Sequence, residues 1–176
     1  RDWWNKPQLP KNITVVTNVQ DLKSHQFKGC LIISDRIVSD SDIKEKSVVY
    51  RPKNLIIGIG LHWTTSKQSI ESAIKSGLDK HDLSWKSIGA VASVDRGAPV
   101  KGLQEFSRDY NIPIQVFDKY KLNEVKVPNP SEMVLRYEGT ASVSEASALL
   151  ASQGNLVIPK QKFPPDLTVA VARKSY

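Results

Sequence analysis

A continuous apolar run, "LIIGIG" (55–60), and two strand-like runs, "IGAVASV" (88–94) and "PIQVF" (113–117), alternate with stretches of helical spacing. No other feature of the chain constrains its fold as much. Runs that are apolar at every position suit strands buried on both faces. Strand–helix alternation points to an α/β domain whose strands lie parallel. Ile70, Ala73, Ile74, Gly77 and Leu78 recur at helical spacing after the first run. Leu103, Phe106 and Tyr110 mark a helix over 101–110 after the second.

Caps bound these helices. Thr65 with Gln68 reads as a capping box for the first. Further on, Pro130 suits the first turn of a helix and Gly139 its end. Ser142 and Glu145 read as a second capping box ahead of Ala146, Leu149 and Leu150, with Gly154 as the stop. "NLVIPK" (155–160) and "LTVAVARK" (167–174) then read as two strands. The "QKFPPD" between them is too short for a crossover helix, so they are predicted to pair antiparallel. The expected domain, residues 55–176, is a mixed sheet of about five strands flanked by helices.

The first 54 residues are of another kind. Residues 1–12 are polar and punctuated by proline, as in an arm. "ITVVT" (13–17), "CLIIS" (30–34) and "SVVYRP" (47–52) read as short strands, and "DRIVSDSDIKEK" as a loop. This mainly β leader is too small to bury much surface alone. It is expected to pack on the α/β domain or to be the tail of a longer protein. The chain opens with Arg1-Asp2-Trp3-Trp4, with no signal-peptide pattern and no initiator Met, and reads as a fragment or a processed chain.

Composition narrows the function classes. Lys and Arg number 25 against 18 acids, a net charge of +7. Such an excess attracts polyanions: nucleic acid, or a small molecule with many carboxylates. A lysine-rich solvated surface with no partner fits equally. No apolar run approaches the roughly 18–20 residues of a membrane helix, so no membrane association is expected. The single Cys30 excludes an internal disulfide and reads as a small buried hydrophobe, in keeping with a cytoplasmic protein.

The turn "GIGLHWTTS" raises the question of phosphate. A dinucleotide loop needs a third glycine where Trp63 stands, and no Gly-Lys-Ser/Thr is present for a P-loop. What remains is a strand-to-helix turn at Gly58 and Gly60, with Thr64, Thr65 and Ser66 at a helix start able to receive phosphate or carboxylate. The two glycines serve either that ligand or the turn alone. His62 in the turn is a candidate base or substrate contact. Asp95 follows the second strand, and the carboxyl ends of parallel strands gather sites in such sheets. Its other reading is a loop-capping acceptor. Asn129 and Ser131 either cap a helix or, with Glu132, Lys160 and Lys162, face a polyanion. The three scattered histidines give no metal-ligand spacing, and no metal is expected.

"LIIGIG…TTS", "SVD…GL", "VPNPSE", "EGTASVSEASALL" and "IPKQK" occur in this order over about 55–173. The series resembles the C-terminal domain of the CbiG family of cobalamin-biosynthesis proteins, also found alone as CobE. "SDR" followed by "YRPKNLIIGIG" looks like the central linker that precedes this domain, and the family's N-terminal domain is absent. The resemblance implies a sheet like that of ribonuclease H-like folds. It implies a cobalt-precorrin-5A hydrolase, which opens the δ-lactone of a polycarboxylate corrinoid and releases acetaldehyde. Cobalt then belongs to the substrate, and no separate cofactor is implied. Family positions match at Gly58, Gly60, Thr65, Ser66, Asp95, Gly102, Asn129, Pro130, Ser131, Glu132, Gly139, Thr140, Ser142, Glu145, Lys160 and Lys162. Leu61, Gly97 and Val100 stand where the family often has Cys, Lys and Glu. Asp95 and His62 are then the candidate catalytic residues. Gly58, Gly60, Thr64, Thr65, Ser66, Asn129, Ser131, Glu132, Lys160 and Lys162 are the candidate substrate-binding residues. A non-catalytic tetrapyrrole-binding module is the rival reading. Nucleic-acid binding is a weaker one, since no cluster of metal-binding carboxylates stands out. A homo-oligomer is compatible with all three.

Overall fold

A computed structural model describes residues 9–130 and 142–175. The leader holds β1 (Cys30–Ile33), α1 (Ser41–Glu45) and β2 (Ser47–Tyr50). The remainder runs β3 (Leu55–Gly60), α2 (Lys67–Asp79), β4 (Ile88–Val94), α3 (Lys101–Tyr110), β5 (Ile114–Phe117), α4 (Lys119–Asn123), α5 (Val143–Ser152), β6 (Asn155–Phe163) and β7 (Leu167–Arg173). The five-stranded sheet has the order β5-β4-β3-β7-β6. β3, β4 and β5 are parallel, and the last two strands pair antiparallel as predicted. The sheet has five mixed strands with helices on both faces, and its first three strands are parallel and joined by helices.

The two faces of β3 are built differently. Leu55, Ile57 and Ile59 join α2 and α3 residues such as Ile70, Ile74, Leu103 and Phe106 in the main core. Ile56, Gly58 and Gly60 alternate onto the other face, under α5. A methyl group at Gly58 would lie 1.8 Å from the Ser144 carbonyl oxygen and 2.8 Å from the Ala148 amide nitrogen. At Gly60 it would meet the Thr168 hydroxyl at 2.5 Å and Val143 Cβ at 3.5 Å. Ala170 pairs with Gly58 and Ala172 with Ile56 in register, so the surface under α5 is shallow. Helix α5 is correspondingly made of small and apolar residues and is buried along most of its length.

Several expectations change. The tight-turn reading of Gly58 and Gly60 gives way to close helix–sheet packing, because both lie within β3. The cap of α2 is Ser66, whose Oγ accepts the Ser69 amide at 3.1 Å. Thr65 instead uses its hydroxyl inside the turn, accepting the His62 amide at 3.0 Å. Ser142 stands at the N-cap of α5 without a side-chain cap bond, and Glu145 faces elsewhere. Residues 13–17 form no strand: Ile13 and Val15 are exposed and no strand among the described residues pairs with them. The expected loop 35–46 contains α1, capped by Asp40 Oδ1 on the Ile43 amide. Cys30 is half-buried, with Sγ 2.9 Å from Ser47 Oγ. The helix predicted between Pro130 and Gly139 falls largely on residues 131–141, outside the described residues.

The leader packs against the sheet as expected. Asp35, 6% exposed, takes a bidentate pair from Arg173 at the end of β7 and the Asn54 amide at 3.0 Å. Its backbone carbonyl accepts the Ser84 amide at 2.7 Å, and Ile37 N donates to Asp82 O at 2.7 Å.

Candidate functional site

The carboxyl ends of β3 and β4 deliver two polar loops to one edge of the sheet. The first is the turn His62–Ser66. His62 Nδ1 lies 3.0 Å from Thr64 Oγ1 and 3.5 Å from the Thr64 amide. An amide donor at Nδ1 pairs with the tautomer that carries its proton on Nε2. In that tautomer His62 offers a hydrogen-bond donor to solvent. The Thr65 amide is committed to the His62 carbonyl at 3.1 Å. His62, Thr64 and Ser66 are exposed and Thr65 is half-buried.

The second loop begins at Asp95, whose amide donates to the Phe117 carbonyl at 2.8 Å and extends the β4–β5 ladder by one bond. Asp95 Oδ1 accepts the Gly97 amide at 2.8 Å, an Asx-type turn that Gly97 completes with φ +73°. The loop-capping role is therefore present, and the exposed carboxylate also borders a crevice. That crevice, about 250 Å³, is bounded by Leu61, Val94, the 95–100 loop, Leu103, Ile114 and Val116. The guanidinium carbon of Arg96 stands 5.3 Å from the centre of the Trp63 ring, a cation–π contact joining the two loops. Among the described residues no hydrogen bond links Asp95 to His62.

Three helix N-termini meet this edge. Gly102 lets α3 press against the start of α2: a methyl there would lie 2.2 Å from the Thr65 carbonyl oxygen and 2.8 Å from the Lys67 amide nitrogen. The start of α5 lies over Gly60. Helix N-termini carry partial positive charge, and their convergence favours anions.

Lysines reach the same edge from β6. Gly60 pairs with Thr168, and Thr168 pairs with Lys162, so the three lie abreast across neighbouring strands. At about 4.8 Å per strand, the Lys162 backbone is roughly 10 Å from Gly60. Lys162 is exposed and Lys160 half-buried. Burial pushes the Lys160 ammonium below the ordinary lysine range, with Glu145 opposing that shift and Lys162 adding to it. Lys160 Nζ donates to the Asn129 carbonyl.

Glu145 holds this corner together, and sequence reasoning missed that. Its fully buried Oε1 accepts from Asn129 Nδ2 at 2.8 Å and from the Lys160 amide at 2.9 Å. Its Oε2 accepts the Asn129 amide at 3.1 Å. One carboxylate thus ties the "VPNP" segment, α5 and β6 together. The available signal is a lone charge in "VSEASALLAS", which local spacing reads as a cap instead. Ser131 and Glu132 lie outside the described residues. Gly58 and Gly60 contribute space for α5.

The chain as a whole is similar to known proteins. The family described as "Cobalamin synthesis G C-terminus" matches residues 55–172. Over 179 aligned residues the chain is 28% identical to "Cobalt-precorrin-5A hydrolase" of Priestia megaterium; the match takes in 100% of this chain and 48% of that protein. It therefore spans about half the length of that relative. "Protein CobE" of Sinorhizobium sp is 24% identical over 111 residues, covering 62% of this chain and 72% of its own. The crystal structure of CobE, a protein from the cobalamin (vitamin B12) biosynthetic pathway, superposes with a TM-score of 0.66 at 25% identity, over 69% of this chain and 91% of that one. The match to the family over most of the α/β part, and the fold shared with CobE, agree: this chain belongs to the cobalamin synthesis G C-terminal family.

Proposed function

We propose that the chain binds a cobalt corrinoid with free carboxylates at the carboxyl edge of its sheet. There it serves hydrolysis of the δ-lactone of cobalt-precorrin-5A with release of acetaldehyde. The observation that supports this most is that three helix N-termini and the β6 residues Lys160 and Lys162 lie along one edge of the sheet, with an apolar crevice at its β4–β5 end. Such an edge suits a large ligand with an apolar body and anionic arms. Cobalt enters as part of the substrate. The name of the Priestia megaterium relative supplies the reaction.

In this reading Asp95 accepts a proton from water. The resulting hydroxide adds to the lactone carbonyl and the acyl–oxygen bond breaks to give a carboxylate. The alkoxide so released collapses to acetaldehyde as the carbon–carbon bond to the macrocycle breaks, and the ring carbon takes up a proton. His62, donating from Nε2, stabilises the carbonyl oxyanion. Lys160, Lys162 and Asn129 hold peripheral carboxylates, with Ser131 and Glu132 nearby in sequence. Thr64, Thr65 and Ser66 shape the turn that presents His62.

The second reading is a corrinoid-binding module without chemistry. The local ties of Asp95 and His62, with no hydrogen bond between them, favour it. One experiment separates the two. Visible-absorbance titration with a cobalt corrinoid is run beside an acetaldehyde assay on cobalt-precorrin-5A. Catalysis predicts that Asp95→Asn binds normally and loses about 100-fold or more in acetaldehyde release. A spectral shift with no acetaldehyde from the wild-type chain assigns binding alone.

A further inference from the structure

β1 and β2 pair in parallel, Leu31 opposite Val48 and Ile33 opposite Tyr50. Parallel sheets are normally covered on both faces. Here one face is covered: Ile32 and α1 residue Ile43 are buried together with the leader's small interior. Alternation along both strands places Leu31, Ile33, Val48 and Tyr50 on the other face. They are 61%, 38%, 70% and 59% exposed. Four large apolar side chains in register form one contiguous patch on a two-stranded sheet, and each strand also has an outer edge with no ladder among the described residues. Contiguous apolar patches of this kind mark interaction sites.

We propose that this face is a docking surface for a polypeptide homologous to the half of the Priestia megaterium hydrolase that this chain does not span. The pattern of matches supports that occupant. The hydrolase aligns with all of this chain, leader included, and is about twice its length. CobE is nearly all accounted for by 69% of this chain, the share that the α/β part makes up, and so has no room for the leader. Between these two proteins the leader is present with the additional half and absent without it. Its inner face and its Asp35 anchor hold it to the α/β part, and its bare face is turned away from α1. The proposal is independent of the corrinoid reading.

Carbene footprinting with mass spectrometry tests it on two intact proteins, this chain and the full-length Priestia megaterium hydrolase. Leu31, Val48 and Tyr50 are expected to label strongly here. The aligned positions of the full-length hydrolase are expected to label at least about fivefold less. Equal labelling in the two proteins overturns the proposal. So does labelling in this chain that falls with concentration in step with dimer mass in sedimentation, which would assign the face to a second copy. As a check that the patch is surface rather than core, Val48→Asp is expected to shift the melting temperature by no more than about 2 °C. Loss of the leader's fold in that variant would make Val48 structural and overturn the proposal too.

Discussion

Single residues carry constraints here that side-chain type does not announce. Gly58→Ala forces a methyl to within 1.8 Å of a carbonyl oxygen on a buried helix, where only backbone can yield. Overpacking of that kind is expected to cost about 3 kcal/mol or more, lowering the melting temperature by roughly 6–12 °C in a scanning calorimeter. Gly97→Ala is the contrast: nothing lies within 4 Å, and only its φ of +73° opposes a side chain. About 1 kcal/mol is expected there. Glu145→Gln removes a charged acceptor from three N–H donors and brings a donor of its own into the cluster. A loss of about 2–3 kcal/mol in urea unfolding is expected. The same change removes the anion that opposes the burial of Lys160, so the Lys160 pKa falls further.

The sign of the Lys160 effect is set by its depressed folded pKa. Between that value and the ordinary lysine value the unfolded chain binds more protons than the folded one, so this group makes stability rise with pH through the window. Carboxylate binding runs the other way, because the ligand selects the ammonium form. Corrinoid affinity is expected to fall with rising pH before ordinary lysines titrate. In Lys160→Arg that fall is expected to disappear from the accessible range. Isothermal titration across the alkaline range checks both.

At the scale of elements, the leader is joined to β7 through Asp35 and Arg173. Arg173→Ala leaves a nearly buried carboxylate with Asn54 and no cation. An expected loss of about 2–3 kcal/mol lies at or just under the range for breaking a buried pair. Hydrogen exchange is expected to rise in β1, α1 and β2 while β3 and β4 stay protected. The elements themselves are largely legible in the sequence. "LIIGIG", "IGAVASV" and "LTVAVARK" are strands because their mainly apolar runs need two covered faces, and they have them. The misreadings have tertiary causes. "ITVVT" has β-branched residues but no partner strand among the described residues. Thr65 does not cap α2 because its hydroxyl is used by the tighter turn before it. Gly58 and Gly60 resemble turn residues because a helix about 85 positions later, which needs their empty Cβ positions, cannot be seen from local sequence. The candidate site is legible in part for the same reason. Asp95 at a strand end follows from topology, whereas the Glu145 cluster joins segments up to 31 residues apart.

For the whole molecule, the net charge of +7 acquires a place to act. Helix N-termini and the β6 lysines share one edge, where they add positive potential to that of the whole chain. Binding of a polycarboxylate is expected to weaken steeply with salt, by about tenfold or more between 50 mM and 500 mM, while stability changes little. Among the described residues no helix is long and apolar enough to cross a membrane. If this edge holds the carboxylates of a corrinoid, visible-absorbance titration of a cobalt corrinoid with free carboxylates tests it most directly, run with the native chain and with Lys160→Ala/Lys162→Ala. The predicted result is a saturable spectral shift whose affinity drops at least about tenfold in the double variant. No spectral shift with the native chain, or equal affinity for both proteins, would contradict it.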